Sequence, residues 1–589
     1  MFHPHPLLLC FLGILYSLLT AGPAIAQTTW YVDDDAPGDP GPGDPTVSDP
    51  NEDGSAAHPF DAIQEGIDVA VDGDEVVLAR GHYTGAGNKN LTLDDKRITV
   101  RRASADALCT INCEWNGLAF LLFSRAFEGL VIDGLIIAHA NDPLGRGAID
   151  CTLDLSEARD ALPVANSRNV RNPARGSGPT ISNCRIVGCL GPAVRTSDAS
   201  PLIVGCTLRN NSGPAISCTG GRPVISACSV SENVTDPYPA AIFCEESDAT
   251  ILDTSVAWNI GAWGAGVAAW GGHIRVQDCR IDYNMSPLFA GGLATESTDV
   301  TINQCRFSWN IGGYAGDGGV TCLYGTAEIG NCVIVDNVGG GFKAYDNDPV
   351  VVNCTISGNV SEAGGISFSR GDLSVVNSII WENSAPHAPE APQIAIFNSY
   401  YDPQATLTAS YTDIQRGADG VYADAGCTIN WGNGNIDVLP QFGNPASGYW
   451  LTPGSPCIDA GDNNGVPPDV LDLDGDGNVE EPTPFDVEGE SRFVDDSGMR
   501  DIGSGTPPIV DIGAYEFQED TCFADLDGDR TVAMPDVELL LLNYGKTTGV
   551  VYSDGDLDRD GQVDLADLAA LLGVYGTECE WETGASMGL

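Results

Sequence analysis

Basic side chains are scarce in this chain of 589 residues: 27 Lys and Arg stand against 82 Asp and Glu, a formal net charge of −55. Such a surface repels phosphate backbones, which excludes nucleic acid as a partner and favours cations instead. Long apolar runs are also missing beyond residue 26, and no later segment reaches the roughly 18 to 20 apolar residues that span a bilayer. The mature chain is therefore expected to have no membrane span and to be soluble, or held at a surface by other means. Residues 7–19 do form a Leu-rich apolar run, followed by small residues ending in Ala24-Ile25-Ala26, which is the pattern of a cleaved secretion signal. The stretch ahead of it carries His3 and His5 but neither Lys nor Arg. A secreted, extracellular or cell-surface location is the expectation.

What is abundant is repetition. A short phrase, plainest as Asn-Cys-Thr-Ile-Ser-Gly-Asn at residues 353–359, recurs nine times, its small first position falling at Cys184, Cys206, Cys228, Thr254, Cys279, Cys305, Cys332, Cys354 and Ser378. The intervals run from 22 to 27 residues, a period that means a solenoid. Two residues on stands an apolar side chain in every copy, from Ile186 to Ile380, and five residues on stands Asn in eight copies, with Cys189 the exception. Spacing of two is a strand signature. An Asn at the same corner of every coil predicts a ladder of side-chain amides satisfying buried backbone groups, with an interior member such as Asn284 costing more to remove than Asn383 at the end. Two further strand patterns per repeat complete a coil. Stacked about 4.8 Å apart, the eight intervals build a parallel β-helix roughly 38 Å long.

On these residues the chain resembles the right-handed parallel β-helix proteins of pectate-lyase-like architecture. The fold class that this implies is mainly β: a right-handed three-faced parallel β-helix solenoid, followed by a small all-α calcium-loop module. The segment from Trp30 to Tyr83 is similar to the usual start of such domains, with Phe60, Ile63, Ile67 and Val71 on one side of a capping helix. The segment from Pro453 to Glu516, with Ser455-Pro456-Cys457-Ile458-Asp459-Ala460-Gly461 and Asp511-Ile512-Gly513-Ala514-Tyr515-Glu516, resembles the cap closing many bacterial β-helix surface proteins. The expected organisation is a signal peptide over 1–26, the β-helix over 27–420, its cap over 421–517, a calcium module over 518–581 and a tail over 582–589.

Of the 19 cysteines, 18 remain after removal of the signal, and most occupy inward repeat positions where a small thiol packs like Thr or Ala. Cys109/Cys113, Cys427/Cys457 and Cys522/Cys579 lie outside the ladder and are disulfide candidates in an oxidising compartment.

The sharpest chemical signal lies near the C-terminus. Residues 556–567 place Asp556, Asp558, Asp560, Asp564 and Asp567 at loop positions 1, 3, 5, 9 and 12, with Gly561 at 6 and Gln562 offering its carbonyl at 7. This is the spacing of a calcium loop. Residues 525–536 repeat it with Asp525, Asp527, Asp529, Thr531 and Asp536, but Arg530 replaces the Gly and Ala533 removes a ligand, so the site should be weaker. Helices are expected over 537–544 and 565–575. Two such loop-helix units resemble a type I dockerin, and the resemblance implies Ca2+ as cofactor and a cohesin-like protein as partner. At loop positions 10 and 11, where dockerins usually carry a Ser-Thr-like pair, this chain has Met534-Pro535 and Leu565-Ala566. A third acidic run, from Asp472 to Glu480, has nine positions of such a loop but Thr483 at 12.

On the solenoid the repeat lengthens to 25–27 residues between Cys228 and Cys332, and enlarged turns on consecutive coils are expected to form groove walls. There Trp258, Tyr283 and Trp309 occupy one position, immediately before the Asn, with Trp263, Trp270 and Tyr314 in nearby turns and Arg280, Asp282 and Arg306 at outward strand positions. Flat rings bind sugars and Arg forks pair with uronate carboxylates; equally, such rings stack on one another for stability. A lyase needs a base beside a calcium-bound uronate and a hydrolase needs two spaced carboxylates. Asp282 alone is placed among the aromatics, as the one candidate catalytic residue. Two functions follow: a non-catalytic carbohydrate-binding or surface-scaffold protein, or a polysaccharide lyase or glycoside hydrolase on the same fold.

Overall fold

The computed structural model describes residues 27–34, 51–93, 95–124, 128–153, 178–235, 240–313, 318–361, 364–385, 393–398, 405–443, 449–470, 472–496, 499–518, 524, 526, 531–547, 555–557 and 562–576. Residues 1–26, expected to be a signal peptide, together with Asp35, Tyr314, Cys522, Cys579 and much of both C-terminal loops, lie outside these residues.

Every strand pairing is parallel and each strand pairs with its counterpart one coil away, as Arg185–Val187 does with Thr207–Arg209 and Arg280–Asp282 with Arg306–Ser308. Three faces result. The first is a separate sheet of 13 strands, running from Gly81–Tyr83 to Asp413–Ile414 and containing the strand of the repeated phrase. The second and third join into one sheet because Ile242–Leu252 and Val267–Gln277 pass without a break through the corner between them. Alternate residues of each strand point inward to one continuous core of Ile, Val, Leu, Phe and Cys. Among the described residues no helix is long and apolar enough to cross a membrane.

Two corners of each coil require a left-handed backbone. Before the small position it is held by Asn183, Ala227, Asp253, Asp278, Gln304, Asn331, Asn353 and Asn377, with φ from 43 to 52. After the first-face strand it is held by Asn210, Glu232, Trp258, Tyr283, Trp309, Asp336, Gly358 and Glu382, with φ from 54 to 67.

The amide ladder forms as expected and runs further. Asn284 receives the backbone N–H and Nδ2 of Asn259 on its Oδ1 at 3.1 and 2.9 Å, and gives its own Nδ2 to Asn310 Oδ1 at 3.1 Å and to the Val256 carbonyl at 2.8 Å. The same pattern repeats to Asn383, which is not a terminus: its Nδ2 donates to Gln393 Oε1 at 2.9 Å, and Gln393 Nε2 donates to Gln415 Oε1 at 3.0 Å. Glutamines from differently shaped turns continue the column, a change of residue that hides the continuation from the repeat pattern. At the other end the Cys189 amide donates to Asn211 Oδ1 at 3.0 Å, so the exceptional residue supplies only the terminal donor.

All 16 described cysteines are free thiols. The candidate pairs Cys109/Cys113 and Cys427/Cys457 are not bridged, because each thiol is directed elsewhere: Cys109 Sγ to the Ala79 carbonyl at 3.0 Å, Cys427 Sγ to Asn398 Oδ1 at 3.3 Å and Cys457 Sγ to Asp413 Oδ2 at 3.4 Å. Burial raises the Cys109 thiol to about 11 and that of Cys113 to about 12, which leaves no thiolate to react.

At the N-terminus helix α1, Ile63–Val69, buries Ile63 and Ile67, with Phe60 packed beside them. Val71 was expected on that side but is exposed, since the helix ends before it.

The segment 421–517 does two things. Val421–Ala423 and Thr428–Trp431 add one more coil, so the solenoid runs past residue 420. The rest then folds back along the flank: it lies over the last coils of the first face. Val333 and Val335 pack against Tyr449, Ala514 and Tyr515, and Ile379 and Trp381 against Leu451, Cys457, Ile458 and Ile512. Outward residues of that face, exposed or half-buried up to Arg280, are buried in Val333–Val335, Thr355–Ser357 and Ile379–Trp381. Arg492 fastens the contact: fully buried, it donates to Asn331 Oδ1 at 3.0 Å, to the Gly513 and Ala514 carbonyls at 3.0 and 2.7 Å, and lies 3.7 Å from Glu516. Nothing short-range in the sequence announces this docking, which joins residues such as Gln304 and Asp486.

Candidate functional site

The structure brings Trp258, Tyr283 and Trp309 together on one corner of the solenoid. Trp258 and Tyr283 stack with ring centroids 4.4 Å apart and planes 2° from parallel; Tyr283 and Trp309 are 6.4 Å apart and 5° from parallel. Parallel rings at these separations leave no room for a sugar between them, because an inserted ring adds a second contact distance of about 3.5 Å. The row therefore meets solvent at the exposed rings as a stack and not as a set of slots between them. Exposure is 60% and 49% for the end rings and 41% for Tyr283 between them.

A second apolar column runs beside the first. From Asn233 to Asn337 the residue after the ladder Asn is apolar and 36–49% exposed, at Val234, Ile260, Met285, Ile311 and Val338, and these residues bridge from coil to coil. With the aromatics they form one apolar strip over five coils. The sequence carries the signal plainly, as an apolar residue following the Asn in six of eight copies, but a row of rings draws attention away from it.

Trp263 belongs to a neighbouring cluster, 4.9 Å from Phe289 and 5.9 Å from Trp270, which in turn sits edge-on to Phe243. The extra residues of the lengthened coils do not stand up as groove walls where they are described. Phe289 and Ala290 lie down on Ala268 and Ala294 of the second face and bury them.

The polar candidates separate. Asp282 is buried; its Oδ1 accepts from the Ser308 amide at 3.1 Å and hydroxyl at 2.5 Å, and its Oδ2 from Arg280 Nε at 2.5 Å. It stands at the outward position that strand alternation gives it, and Arg280 and Ser308 fold over it there. Arg280 keeps a largely exposed side chain, and Asp282 raises its pKa further, with Glu488 and Tyr283 adding to the effect. Arg306 goes elsewhere: its charge is felt at Asp336, Tyr449 and Tyr515, and its Nε is buried without an acceptor. The docked 440–517 segment takes it away from the aromatic row.

The C-terminal module is built from helices α2, Met534–Asn543, and α3, Leu565–Gly573. α2 begins three residues earlier than expected because Pro535 is tolerated in a first turn and Asp536 accepts the Ala533 amide there. The two units repeat one another 31 residues apart. Asp536 accepts from the Leu526 and Ala533 amides, both at 2.7 Å; Asp567 accepts from those of Leu557 and Asp564 at 2.6 and 2.7 Å. The Gly545 amide donates to the Val563 carbonyl and the Gly576 amide to that of Val532, each at 2.7 Å, so each loop rests on the other unit's helix end. Of the expected ligands, Thr531, Asp536, Asp556, Gln562, Asp564 and Asp567 are described, while Asp525, Asp527, Asp529, Asp558 and Asp560 lie outside the described residues. In the third acidic run Asp472, Asp474 and Asp476 converge, as do Asp469, Asp474 and Glu481, each trio with ligand atoms within 4.8 Å of one another.

No curated protein matches the chain. Among solved structures, pectate lyase Pel9A is 12% identical, covers 84% of this chain and 98% of its own, and has a TM-score of 0.36. XylC in complex with xylose is 10% identical over 83% and 98%, with a TM-score of 0.40. The A-module of the Azotobacter vinelandii mannuronan C-5 epimerase AlgE6 is 14% identical over 64% and 95%, with a TM-score of 0.31. Residues 174–346 and 240–439 match the family described as right handed beta helix region, and with the coil-by-coil parallel pairing they make the chain a right-handed parallel β-helix solenoid resembling pectate-lyase-like folds.

Proposed function

We propose that this is an extracellular binding or surface-scaffold protein whose solenoid holds acidic polysaccharide along the Trp258–Tyr283–Trp309 corner, and whose C-terminal module binds Ca2+ and docks to a cohesin-like protein. The observation carrying the first part is the exposed strip itself. Three bulky rings occupy left-handed positions that Asn, Asp, Glu or Gly fill in other coils. Such a conformation costs a bulky residue about 1 to 2 kcal/mol, and strain of this kind is retained mainly where function uses it. A continuous exposed apolar strip is a mark of an interaction surface. Arg280 beside the strip selects for carboxylated sugars over neutral ones, and Asp282 behind it, held by Arg280 and Ser308, supports binding without catalysis.

For the second part the support is the internal repeat of the two loops at a spacing of 31 residues and their all-oxygen donor set, which suits a hard cation. Apart from Arg530 and Ala533 in the first loop, the residues present fit calcium, which would neutralise carboxylates that otherwise repel and so couple binding to folding. Met534, Leu541 and Tyr544, and 31 residues on Leu565, Leu572 and Tyr575, are exposed apolar residues on the two units and supply the surface for a partner.

Incubation with polygalacturonate, alginate and xylan, with and without calcium, tests the reading. Retention of polygalacturonate or alginate without unsaturated products or new reducing ends is expected. Unsaturated products would establish a lyase, and new reducing ends alone a hydrolase.

A further inference from the structure

Another set of carboxylates, outside all three acidic loops, has the form of a cation site. Asp459 is fully buried, in the middle of the docked segment. Its backbone is clamped: the amide donates to Asp511 Oδ1 at 2.8 Å and the carbonyl accepts from the Ile502 and Gly503 amides, both at 3.0 Å. Its φ of 51 fixes the direction in which the side chain leaves. Both carboxylate oxygens are buried, and neither accepts a hydrogen bond of good geometry. They face Asp495 and Asp501, which are exposed, and the ligand atoms of the three residues lie within 4.8 Å of one another.

A buried carboxylate that accepts no hydrogen bond of good geometry is costly, and two like charges beside it raise the cost. Burial first, then Asp495, Asp501 and Asp496, push Asp459 up to about 7, offset only in part by the Asp496 backbone amide. No Lys or Arg ion pair to any of the three is present among the described residues. A bound cation removes all of these penalties together. Three carboxylates and no nitrogen or sulfur select a hard divalent ion, and a floor of one buried carboxylate with two at an open rim leaves room for the waters that complete a calcium shell.

We propose that Asp459, Asp495 and Asp501 bind one calcium ion that locks the docked 440–517 segment onto the solenoid. The placement gives the ion that role. From Asp459 the chain passes directly to Asp462, whose amide and carbonyl pair with the side chain of Asn377 at 2.8 and 2.9 Å, while Gly461 pairs with Val510 and Ser504. The ion thus ties separate stretches of the docked segment together three residues from the contact that Asp462 makes with the solenoid.

The test uses the full chain. Equilibrium dialysis against calcium, with metal counted per chain, is compared between wild type and the double variant Asp495→Asn/Asp501→Asn, whose rim positions are exposed and do not serve the core. One calcium fewer per chain is expected in the variant; ions held by the C-terminal loops add equally to both and cancel, so failure of that module leaves this comparison intact. Asp459→Asn should melt at a higher temperature than wild type in chelator, since a buried charge is gone, and should lose part of the calcium-induced rise. An unchanged count in the double variant, or displacement of the ion by an equal concentration of magnesium, would overturn the assignment.

Discussion

Trp258 and Tyr283 lie face to face at 4.4 Å, and both hold a left-handed backbone, with φ of 60 and 56. The two facts oppose each other energetically. A stacked aromatic pair contributes about 0.5 to 1.5 kcal/mol beyond burial, while the backbone conformation costs about 1 to 2 kcal/mol for a bulky residue. Stability alone gives little reason to keep the rings.

Tyr283→Asn places at this corner a residue that Asn210 shows to be at ease there, with φ of 55. Relief of the backbone offsets the lost stacking, so the melting transition should move by no more than about 1 kcal/mol in free energy. A much larger loss in a thermal or urea melt would make the row a structural brace.

The ladder makes a different prediction from the one its sequence suggests. Asn284→Ala leaves backbone groups of two coils unsatisfied and should cost about 1 to 3 kcal/mol. Asn383→Ala should cost a similar amount, because Gln393 receives its amide and it receives that of Asn359. A markedly milder effect at Asn383, read from denaturant melts, would mean that the column ends there.

Cys109, Cys113, Cys427 and Cys457 should all carry free thiols in the purified protein. Alkylation after denaturation without reductant, followed by peptide mass mapping, should modify all four. A bridged peptide linking either pair would contradict the structure.

Acidification should stabilise the solenoid in the presence of chelator. Burial lifts Asp413 to about 7 and Asp278 to about 6 from an ordinary 3.8. Between 3.8 and those values the native state holds protons that the unfolded chain has released, so stability falls as pH rises through that window. A higher melting temperature at about pH 5.5 than at about pH 8 is expected, and the reverse order would contradict it.

The coil architecture is legible because each repeat position meets only its counterparts one coil away, so a period of about 24 residues states both the register and the inward residues. Even the left-handed corner could be read: Asn210, Asp336 and Gly358 share the column of the three rings and are types that tolerate positive φ. Long-range docking is illegible for the opposite reason. Arg492 and Asn331 lie 161 residues apart, and no periodic neighbour marks either as a partner. Asp282 stands at its outward position, but its burial was not legible, because strand alternation gives a direction and not what folds over it. Asp459 escaped notice because its partners, Asp495 and Asp501, form no loop spacing with it.

The central claim is most directly tested by co-sedimentation of the purified protein with alginate and polygalacturonate gels, comparing wild type with Trp258→Ala/Trp309→Ala, which removes both end rings of the row, and with Arg280→Ala. The account predicts retention of wild type on both gels, loss of at least tenfold in affinity for the double variant with an unchanged melting temperature, and a loss for Arg280→Ala on these gels that is absent on xylan. Equal retention of wild type and the double variant on every gel would contradict it.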